Sequence, residues 1–152
     1  MRFRTEVCEG ANDEIIIVCQ RRSNEIKRLE RIIEGALGAD AEMVLLLGDA
    51  EFFIPQSEIL FFETESGKVT AHTRERMYYA KSTLLQLEDT LSQDFIRVSK
   101  SCILNAREVS AISHNITGNG EVLFRNTNKK VYVSRGYYKE LKTKIYEMRG
   151  LN

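Results

Sequence analysis

Cysteine and histidine are the residue types in this chain that could supply a nucleophile and its base. Cys102 follows Ser101, and His72 or His114 could take a proton from its thiol if the fold brought the groups within hydrogen-bond reach. The segment 102–104, however, has the composition of a buried strand, where a cysteine usually serves as a small apolar residue. We therefore interpret Cys102 as a core residue, and a thiol hydrolase is the enzymatic alternative.

The cysteine spacing does not fit a disulfide framework or a metal site. Cys8, Cys19 and Cys102 are an odd number of residues, and they lie far apart in the chain. Secreted disulfide frameworks use even numbers of cysteines, and zinc sites use closely spaced pairs of ligands. The sequence therefore predicts reduced thiols, no metal ion and no cofactor.

Basic side chains could bind an anion, and they are concentrated near the C-terminus. The whole chain has a formal net charge of zero, with 22 basic and 22 acidic residues among its 152. Residues 1–50 hold 7 Lys and Arg against 10 Asp and Glu, residues 51–94 hold 4 against 8, and residues 95–152 hold 11 against 4. A charge of +7 on the last segment favours an anionic partner there, and a solvated, lysine-rich terminal helix is the alternative.

The N-terminal residues have the pattern of two short strands and a helix. Residues 2–7 and 14–19 have strand-like composition and are separated by turn-forming residues. Residues 23–37 place aliphatic side chains on one helical stripe, with Ser23 as the N-cap and Gly38 as the stop. This region is therefore predicted to be a strand-strand-helix unit.

From residue 43 the hydrophobic pattern changes from a helical period to that of short strands. The predicted helices are a leucine-rich one over residues 83–91, capped by Ser82, and a terminal one that begins after Ser134. The predicted strands are residues 43–47, 51–54, 59–63, 69–73, 76–80, 95–98, 101–111 with a break, 121–124 and 131–134. The pattern predicts a mainly β fold with short helices added.

The length and the hydropathy of the chain limit its architecture and location. A chain of 152 residues with 43% hydrophobic content can bury one substantial core and a small appended unit. No stretch approaches about 18 consecutive apolar residues, and the first residues lack an apolar run of secretory length. We expect a cytoplasmic protein that does not insert into a membrane.

Four segments, taken in order and spacing, resemble the LytTR DNA-binding domain over about residues 45–148. The resemblance implies an elongated domain of three small antiparallel sheets with short helices, in bacterial proteins that regulate transcription. It also implies that loops of the domain enter successive major grooves of double-stranded DNA, typically at paired direct repeats near promoters. The segments are EILFFE at 58–63, LLQLE at 84–88, FIRVSKSCILN at 95–105 and VYVSRGY at 131–137.

Arg135 is the residue that the resemblance and the local pattern both indicate for DNA contact. If Ser134 caps the last helix, Arg135 stands in its first turn, where the helix dipole disfavours a cation by about a few tenths of a kcal/mol. A DNA phosphate or a guanine edge would compensate, because arginine offers a two-pronged donor. The alternative is a surface arginine that pairs with a carboxylate such as Glu140.

Further candidates come from positions that match the family motif or lie in basic turns. Ser99 and Lys100 match a family loop that contacts DNA. Arg97 and Asn105 also match, and for these two a DNA contact and a structural role stay equally open. The remaining candidates are Lys68, in a second family loop that also carries Glu65, and Arg125, Lys129 and Lys130, which we interpret as phosphate contacts.

The first 40 residues are too few for the phosphorylatable receiver domain that the best-known family members carry. We expect residues 1–42 to form an extension and residues 43–152 to form the DNA-binding domain. The hypothesis for the extension is that helix 23–37 packs on the two opening strands and helps to form a homodimer, which would suit paired DNA repeats. Simple packing against its own sheet is the alternative. Control is expected to come from the abundance of the protein, from a ligand or from a membrane partner protein.

The function that this sequence favours is sequence-specific binding of double-stranded DNA in transcription regulation, without enzymatic activity. A protein-interaction module, or an anti-regulator that keeps the fold but has lost DNA binding, is the alternative. DNA binding should weaken as salt is added, because each phosphate contact releases counterions. Salt dependence therefore separates the two functions.

Overall fold

A computed structural model of the chain describes residues 15–39 and 41–151, which form three α-helices and ten strands. The helices are α1 (Asn24–Ala39), α2 (Leu84–Thr90) and α3 (Tyr138–Met148). The strands are β1 (Glu42–Leu47), β2 (Ala50–Pro55), β3 (Phe61–Glu65), β4 (Lys68–His72), β5 (Met77–Ala80), β6 (Phe95–Ser99), β7 (Cys102–Asn105), β8 (Val109–His114), β9 (Gly120–Phe124) and β10 (Lys130–Val133). Single 3-10 turns occupy Gln56–Glu58, Ala106–Glu108 and Arg135–Tyr137.

Every strand pair in the described residues is antiparallel, which confirms the predicted mainly β class. The hydrogen bonds join the strands into two sheets rather than the three that were expected. One sheet has the order β2-β1-β5-β4-β3-β7-β6, and the other has the order β10-β9-β8. The β1–β2 hairpin joins the rest of the large sheet through a single residue pair, Leu46 with Tyr79.

Strand β3 contributes to both hydrophobic cores of the molecule. Neighbouring residues of a strand point to opposite faces, so Phe61 and Phe62 are buried on opposite sides of the large sheet. Phe62 packs in the core that α2 covers with Leu84 and Leu87. Phe61 packs in the core shared with the small sheet and α3, where its ring stacks on Phe124 with a centroid separation of 5.5 Å. Strand β3 therefore packs against α2 on one face and against the small sheet on the other.

Helix α2 begins one residue later than the sequence pattern predicted. Its N-cap is Thr83, whose hydroxyl accepts a hydrogen bond from Gln86 N at 3.2 Å, while Gln86 Oε1 accepts from Thr83 N at 3.0 Å. This reciprocal pair satisfies two of the free N–H groups at the helix start. The prediction that Ser82 caps the helix is wrong, because only the next residue has a glutamine three positions ahead.

Helix α1 has the predicted start but extends past the predicted stop. Ser23 Oγ accepts a hydrogen bond from Ile26 N at 3.3 Å, which confirms the N-cap. The helix continues through Gly38 to Ala39, so the prediction that Gly38 ends it is wrong. A glycine inside a helix costs about 1 kcal/mol relative to alanine, which neighbouring contacts can outweigh.

Helix α1 packs against α3 near the end of the chain. Ile26 is buried, and Arg31 Nη2 lies 3.8 Å from Glu147 Oε2 on α3. Residues 15–19, predicted as part of a strand, are not in a strand, because no described residues form a ladder with them. The other predicted strand, residues 2–7, and Glu14 lie outside the described residues.

Two searches of the described residues bear on membrane insertion and metal binding. Within residues 15–39 and 41–151, no helix combines the length and the apolar character that crossing a membrane requires. The same residues contain no cluster of three or more histidine, cysteine, aspartate or glutamate side chains placed to hold a metal ion.

Candidate nucleic-acid interface

The turn between β6 and β7 presents Lys100 to solvent on a braced backbone. The strands are out of register by one residue between Arg97 and Ser99, which is a β-bulge. Arg97 Nε donates to the Ser99 carbonyl at 2.8 Å, and its Nη2 donates to the Lys100 carbonyl at 2.5 Å. Lys100 itself is exposed. The bulge and the arginine therefore fix the turn and direct the lysine outward.

Arg97 has the environment of a structural residue. Its guanidinium also pairs with Glu88 on α2, with 3.2 Å between Nη1 and Oε2. Three of its donors are thus directed to atoms of the protein, two of them carbonyls of the turn. Of the two roles left open for Arg97, the contacts favour the structural one.

Ser99 contributes to the same turn through its hydroxyl. Ser99 Oγ accepts a hydrogen bond from Ser101 N at 3.2 Å and lies 3.4 Å from Ser101 Oγ. Such local bonds from serine to the backbone are typical of tight turns. Ser99 is half-buried beside the exposed Lys100, so its hydroxyl supports the turn from which a contact would be made.

Arg135 lies at the junction between β10 and α3, and the cap of this junction differs from the prediction. Ser134 makes no side-chain capping hydrogen bond, so the expectation that it caps the helix is wrong. The N–H of Arg135 donates instead to Asn119 Oδ1 at 3.2 Å, from the turn between β8 and β9. Sequence reasoning missed Asn119 because its partner is 16 residues away along the chain.

The guanidinium of Arg135 is available for an external ligand. The side chain is exposed, and no carboxylate among the described residues pairs with it, Glu140 included. The structure therefore does not support the alternative in which Arg135 is neutralised by a neighbouring carboxylate.

Two backbone hydrogen bonds bring three basic turns to one end of the molecule. Ser134 N donates to the Val98 carbonyl at 2.9 Å, which joins the Arg135 junction to the end of β6. Thr64 N donates to the Ser101 carbonyl at 2.8 Å, which joins the end of β3 to the Lys100 turn. Lys68 begins β4 directly after the β3–β4 turn. The row of turns therefore runs from Lys68 through Lys100 to Arg135.

Lys68 is exposed within this row. Its Nζ lies 5.7 Å from the centre of the Tyr79 ring, a cation–π separation worth about 0.5–1 kcal/mol at an exposed site. The preceding residues Ser66 and Gly67 have positive φ angles of 51° and 78°, which make the hairpin tight. Lys68 is thus positioned beside a tight turn, as a loop contact requires.

Lys129 does not have the environment of a phosphate contact. Its Nζ donates to the Thr73 carbonyl at 2.6 Å and to the Arg76 carbonyl at 3.3 Å, both in the turn between β4 and β5. Burial lowers the pKa of this amine from its ordinary value. Lys129 connects the small sheet to the large one, and these contacts favour a structural role over the predicted phosphate contact.

The neighbours of Lys129 remain accessible. Lys130 is exposed, with its Nζ 3.8 Å from Glu121 Oε2 and 5.7 Å from the centre of the Tyr132 ring. Arg125 is exposed at the start of the β9–β10 turn. Both residues lie toward the β9–β10 turn, at the end of the small sheet away from the Arg135 junction, and their exposure leaves them accessible to a phosphate.

Asn105 is a structural residue in this fold. It is 1% exposed, its Nδ2 donates to the Ile59 carbonyl at 3.1 Å, and its Oδ1 accepts from Arg107 N at 3.1 Å. A buried amide with both ends bonded to the backbone has no surface for a nucleic acid. The DNA-contact interpretation of Asn105 is therefore corrected in favour of the structural role.

Among the described residues, no hydrogen bond joins Cys102 to His72 or His114, so the predicted nucleophile and base are not brought together. Burial, and then the nearby Glu63 carboxylate, raises the pKa of Cys102 to about 12, so its thiol is protonated at neutral pH. His72 Nε2 lies 3.0 Å from Glu63 Oε1, and burial lowers the pKa of this imidazole. His114 Nδ1 lies 3.3 Å from the Tyr138 hydroxyl. Each group is thus held in contacts of its own.

Comparisons with known proteins agree with this fold. A solved LytTr DNA-binding domain from Bacillus cereus superimposes with a TM-score of 0.64 at 24% identity, covering 69% of this chain and 96% of that domain. Sensory transduction protein LytT of Bacillus subtilis (strain 168) is 30% identical over 134 residues, which are 84% of this chain and 54% of LytT. This chain therefore spans about half the length of that relative.

A second relative and the family model cover the C-terminal part of the chain. An uncharacterized HTH-type transcriptional regulator of Staphylococcus aureus (strain bovine RF122 / ET3-1) is 32% identical over 89 residues, which are 59% of this chain and 60% of the regulator. The model of the LytTr DNA-binding domain matches residues 49–146, more than half of the chain. The chain therefore belongs to the LytTr DNA-binding domain family.

Proposed function

We propose that this chain is a non-enzymatic transcription regulator that binds double-stranded DNA with sequence specificity and reads major grooves through turns at strand ends. The observation that carries the proposal is the row of basic turns joined by the Thr64–Ser101 and Ser134–Val98 hydrogen bonds. A row of exposed cations on rigid turns meets the two needs of duplex recognition, namely charge for the phosphates and fixed donors for the bases.

The candidate residues have different roles in this proposal. Arg135 reads a base edge, because its guanidinium has a free two-pronged donor on a fixed backbone. Lys100 and Lys68 contact the duplex from the neighbouring turns, and the Ser99 hydroxyl assists at the Lys100 turn. Arg125 and Lys130 bind phosphates and position the protein without specifying sequence.

The assembly that we propose is a cytoplasmic bacterial homodimer at paired direct repeats. Residues 1–42 would form the dimerising extension, and residues 43–152 the DNA-binding domain. The contact of α1 with α3 connects the extension to the domain that carries Arg135, so pairing through α1 would place two DNA-binding units together. If the chain has the mass of a monomer at micromolar concentration, both with and without DNA, the proposed dimer is wrong. Control by a membrane partner protein is part of the same proposal.

One observation favours the second candidate function, a protein-interaction module. Val44 and Phe53 pair across β1 and β2 and are 52% and 63% exposed. Leu46, on the same face as Val44, pairs with Tyr79, which is 41% exposed, and Met77 on that strand is 45% exposed. An exposed apolar sheet face of this kind is a feature of protein-binding surfaces.

DNA binding measured over a salt series tests the proposed function. We expect Arg135→Ala to cost about 1–3 kcal/mol of binding free energy on a preferred duplex and to relax sequence preference, since it removes a base-reading donor. Lys130→Ala should weaken all duplexes alike and lower the salt slope by about one unit, because it removes one phosphate contact. Weak binding that does not change with salt would instead favour the interaction module.

A further inference from the structure

The turn between β8 and β9, residues 115–119, is built around Asn115. The Asn115 carbonyl accepts from Gly118 N at 3.0 Å, and Asn115 N donates to the Asn119 carbonyl at 2.9 Å. Asn115 Oδ1 also accepts from Thr117 Oγ1 at 2.6 Å and from Asn119 N at 3.2 Å. A turn with this many internal hydrogen bonds has a defined shape.

Three consecutive residues of this turn and its exit contact the β10–α3 junction. Gly118 has a φ angle of +89°, and a Cβ built on it would lie 3.1 Å from Arg135 Cγ and 3.3 Å from Arg135 Cδ. Asn119 Oδ1 accepts the Arg135 N–H. A Cβ on Gly120 would lie 2.5 Å from Tyr138 Cδ2, so the Tyr138 ring covers that glycine. The turn therefore contacts the side chain of Arg135, the backbone N–H of Arg135 and the ring of Tyr138.

We infer that Gly118 and Asn119 are positioning residues that hold Arg135 in its DNA-reading pose, and this inference rests on the proposed function. A Cβ at Gly118 would crowd the aliphatic stem of Arg135, which would have to shift by a few tenths of an ångström to accommodate it. Asn119 fixes the backbone from which the stem departs. Asn119 bonds only the backbone N–H, and Gly118 makes only a packing contact that extends to Nε, so neither residue accepts a hydrogen bond from the guanidinium.

The physical effect is preorganisation. A long side chain loses rotamer freedom when it binds, at a cost of about 0.5–1.5 kcal/mol for each side chain immobilised. An arginine whose stem is already seated has lost part of that freedom before DNA arrives. The packing of the Arg135 stem on Gly118 should therefore increase affinity for the preferred duplex without adding a contact to the DNA.

The test is Gly118→Ala and Asn119→Ala, with Gly48→Ala as the matched control. Gly48 also has a positive φ, +60°, in the β1–β2 turn, and a Cβ there meets nothing within 4 Å, so it places an alanine at positive φ away from Arg135. The probes are a duplex that the wild-type chain enriches from a random-sequence pool and a scrambled duplex of the same length. Melting temperatures of all variants report any loss of stability.

We expect Gly118→Ala to weaken binding to the enriched duplex by about 2- to 12-fold, which is the ordering cost of one side chain converted at 1.4 kcal/mol per tenfold. Asn119→Ala should act in the same direction, and Gly48→Ala should bind as the wild type does. In an Arg135→Ala background, Gly118→Ala should cause no further loss, because the residue that it positions is gone.

Different failures have different meanings in this experiment. Wild-type affinity for Gly118→Ala and Asn119→Ala, or an equal loss with Arg135 already removed, overturns the positioning role and leaves the proposed function intact. If the wild-type chain enriches no duplex, the proposed function fails and the inference fails with it.

Discussion

Lys129 and Lys130 are adjacent in the sequence, yet their amines have different surroundings. Lys129 Nζ donates to two backbone carbonyls and is partly desolvated, whereas Lys130 is exposed on β10. Two lysines of equal charge therefore differ in what they can offer a phosphate. The hydrogen-bond partners of a basic residue therefore decide whether it can contact DNA.

The buried Cys102 thiol should not react with thiol reagents in the native chain. Its pKa of about 12 leaves about one thiolate in 10,000 molecules at pH 8, and the side chain is 5% exposed. We expect a thiol reagent at pH 8 to label the exposed Cys19 in the native chain and to leave Cys102 unlabelled until the chain is unfolded. Peptide mapping by mass spectrometry gives the readout. Rapid native labelling of Cys102 would reopen the enzymatic alternative.

Among the elements, the strands provide the rigid parts of the candidate interface and the turns provide its contacts. Strands β3, β6 and β7 are hydrogen-bonded neighbours within one sheet, so the turns at their ends cannot move independently. The small sheet supplies the β8–β9 turn that supports Arg135. Helix α2 lies under the large sheet and anchors Arg97 through Glu88, so its stability affects the Lys100 turn.

The capping box of α2 should stabilise the folded protein. Thr83→Ala should lower the free energy of unfolding by about 1 kcal/mol, because the Gln86 N–H loses its acceptor at the helix start. Ser82→Ala is the matched control and should have little effect, since the cap is Thr83. Urea denaturation measures both. A larger loss for Ser82→Ala than for Thr83→Ala would contradict the assignment of the cap.

For the whole molecule, contacts between the two sheets set the spacing of the basic turns. Arg74, which follows β4, pairs with Glu108 and donates from Nε to the Arg125 carbonyl at 2.9 Å. Lys129 adds its two bonds to the β4–β5 turn. These charged contacts join segments that are 34 to 56 residues apart in the chain. The placement of one sheet relative to the other therefore depends on contacts between residues that are distant in the chain.

Lys129→Met tests the hydrogen bonds by which Lys129 joins the two sheets. The variant keeps the aliphatic stem and removes the ammonium group, so the free energy of unfolding should fall by about 1.5–3 kcal/mol, the range for a hydrogen bond to a charged group. The salt slope of DNA binding should stay at the wild-type value, whereas Lys130→Met should lower it by about one unit. A reduced slope for Lys129→Met would show that its amine binds phosphate after all.

Local patterns in the sequence determined the strands, the central helix and the basic character of the C-terminal segment. A period of two residues marks a strand and a period of 3.6 marks a helix, so both can be recognised from neighbours along the chain. The ordered motif from Phe95 to Asn105, with the segment around Arg135, was sufficient to indicate the family. The helix caps were predicted less well, because a shift of one residue exchanges Ser82 for Thr83.

Only the tertiary structure decided which polar residues are free and which are used by the fold. Asn105 is bound to Ile59 from 46 residues away, Lys129 to Thr73 from 56 residues away, and Arg135 receives its cap from Asn119. Hydrogen bonds between such distant positions leave no periodic trace in the sequence. The sequence therefore determined that this end of the chain is basic, and folding decided which cations face the solvent.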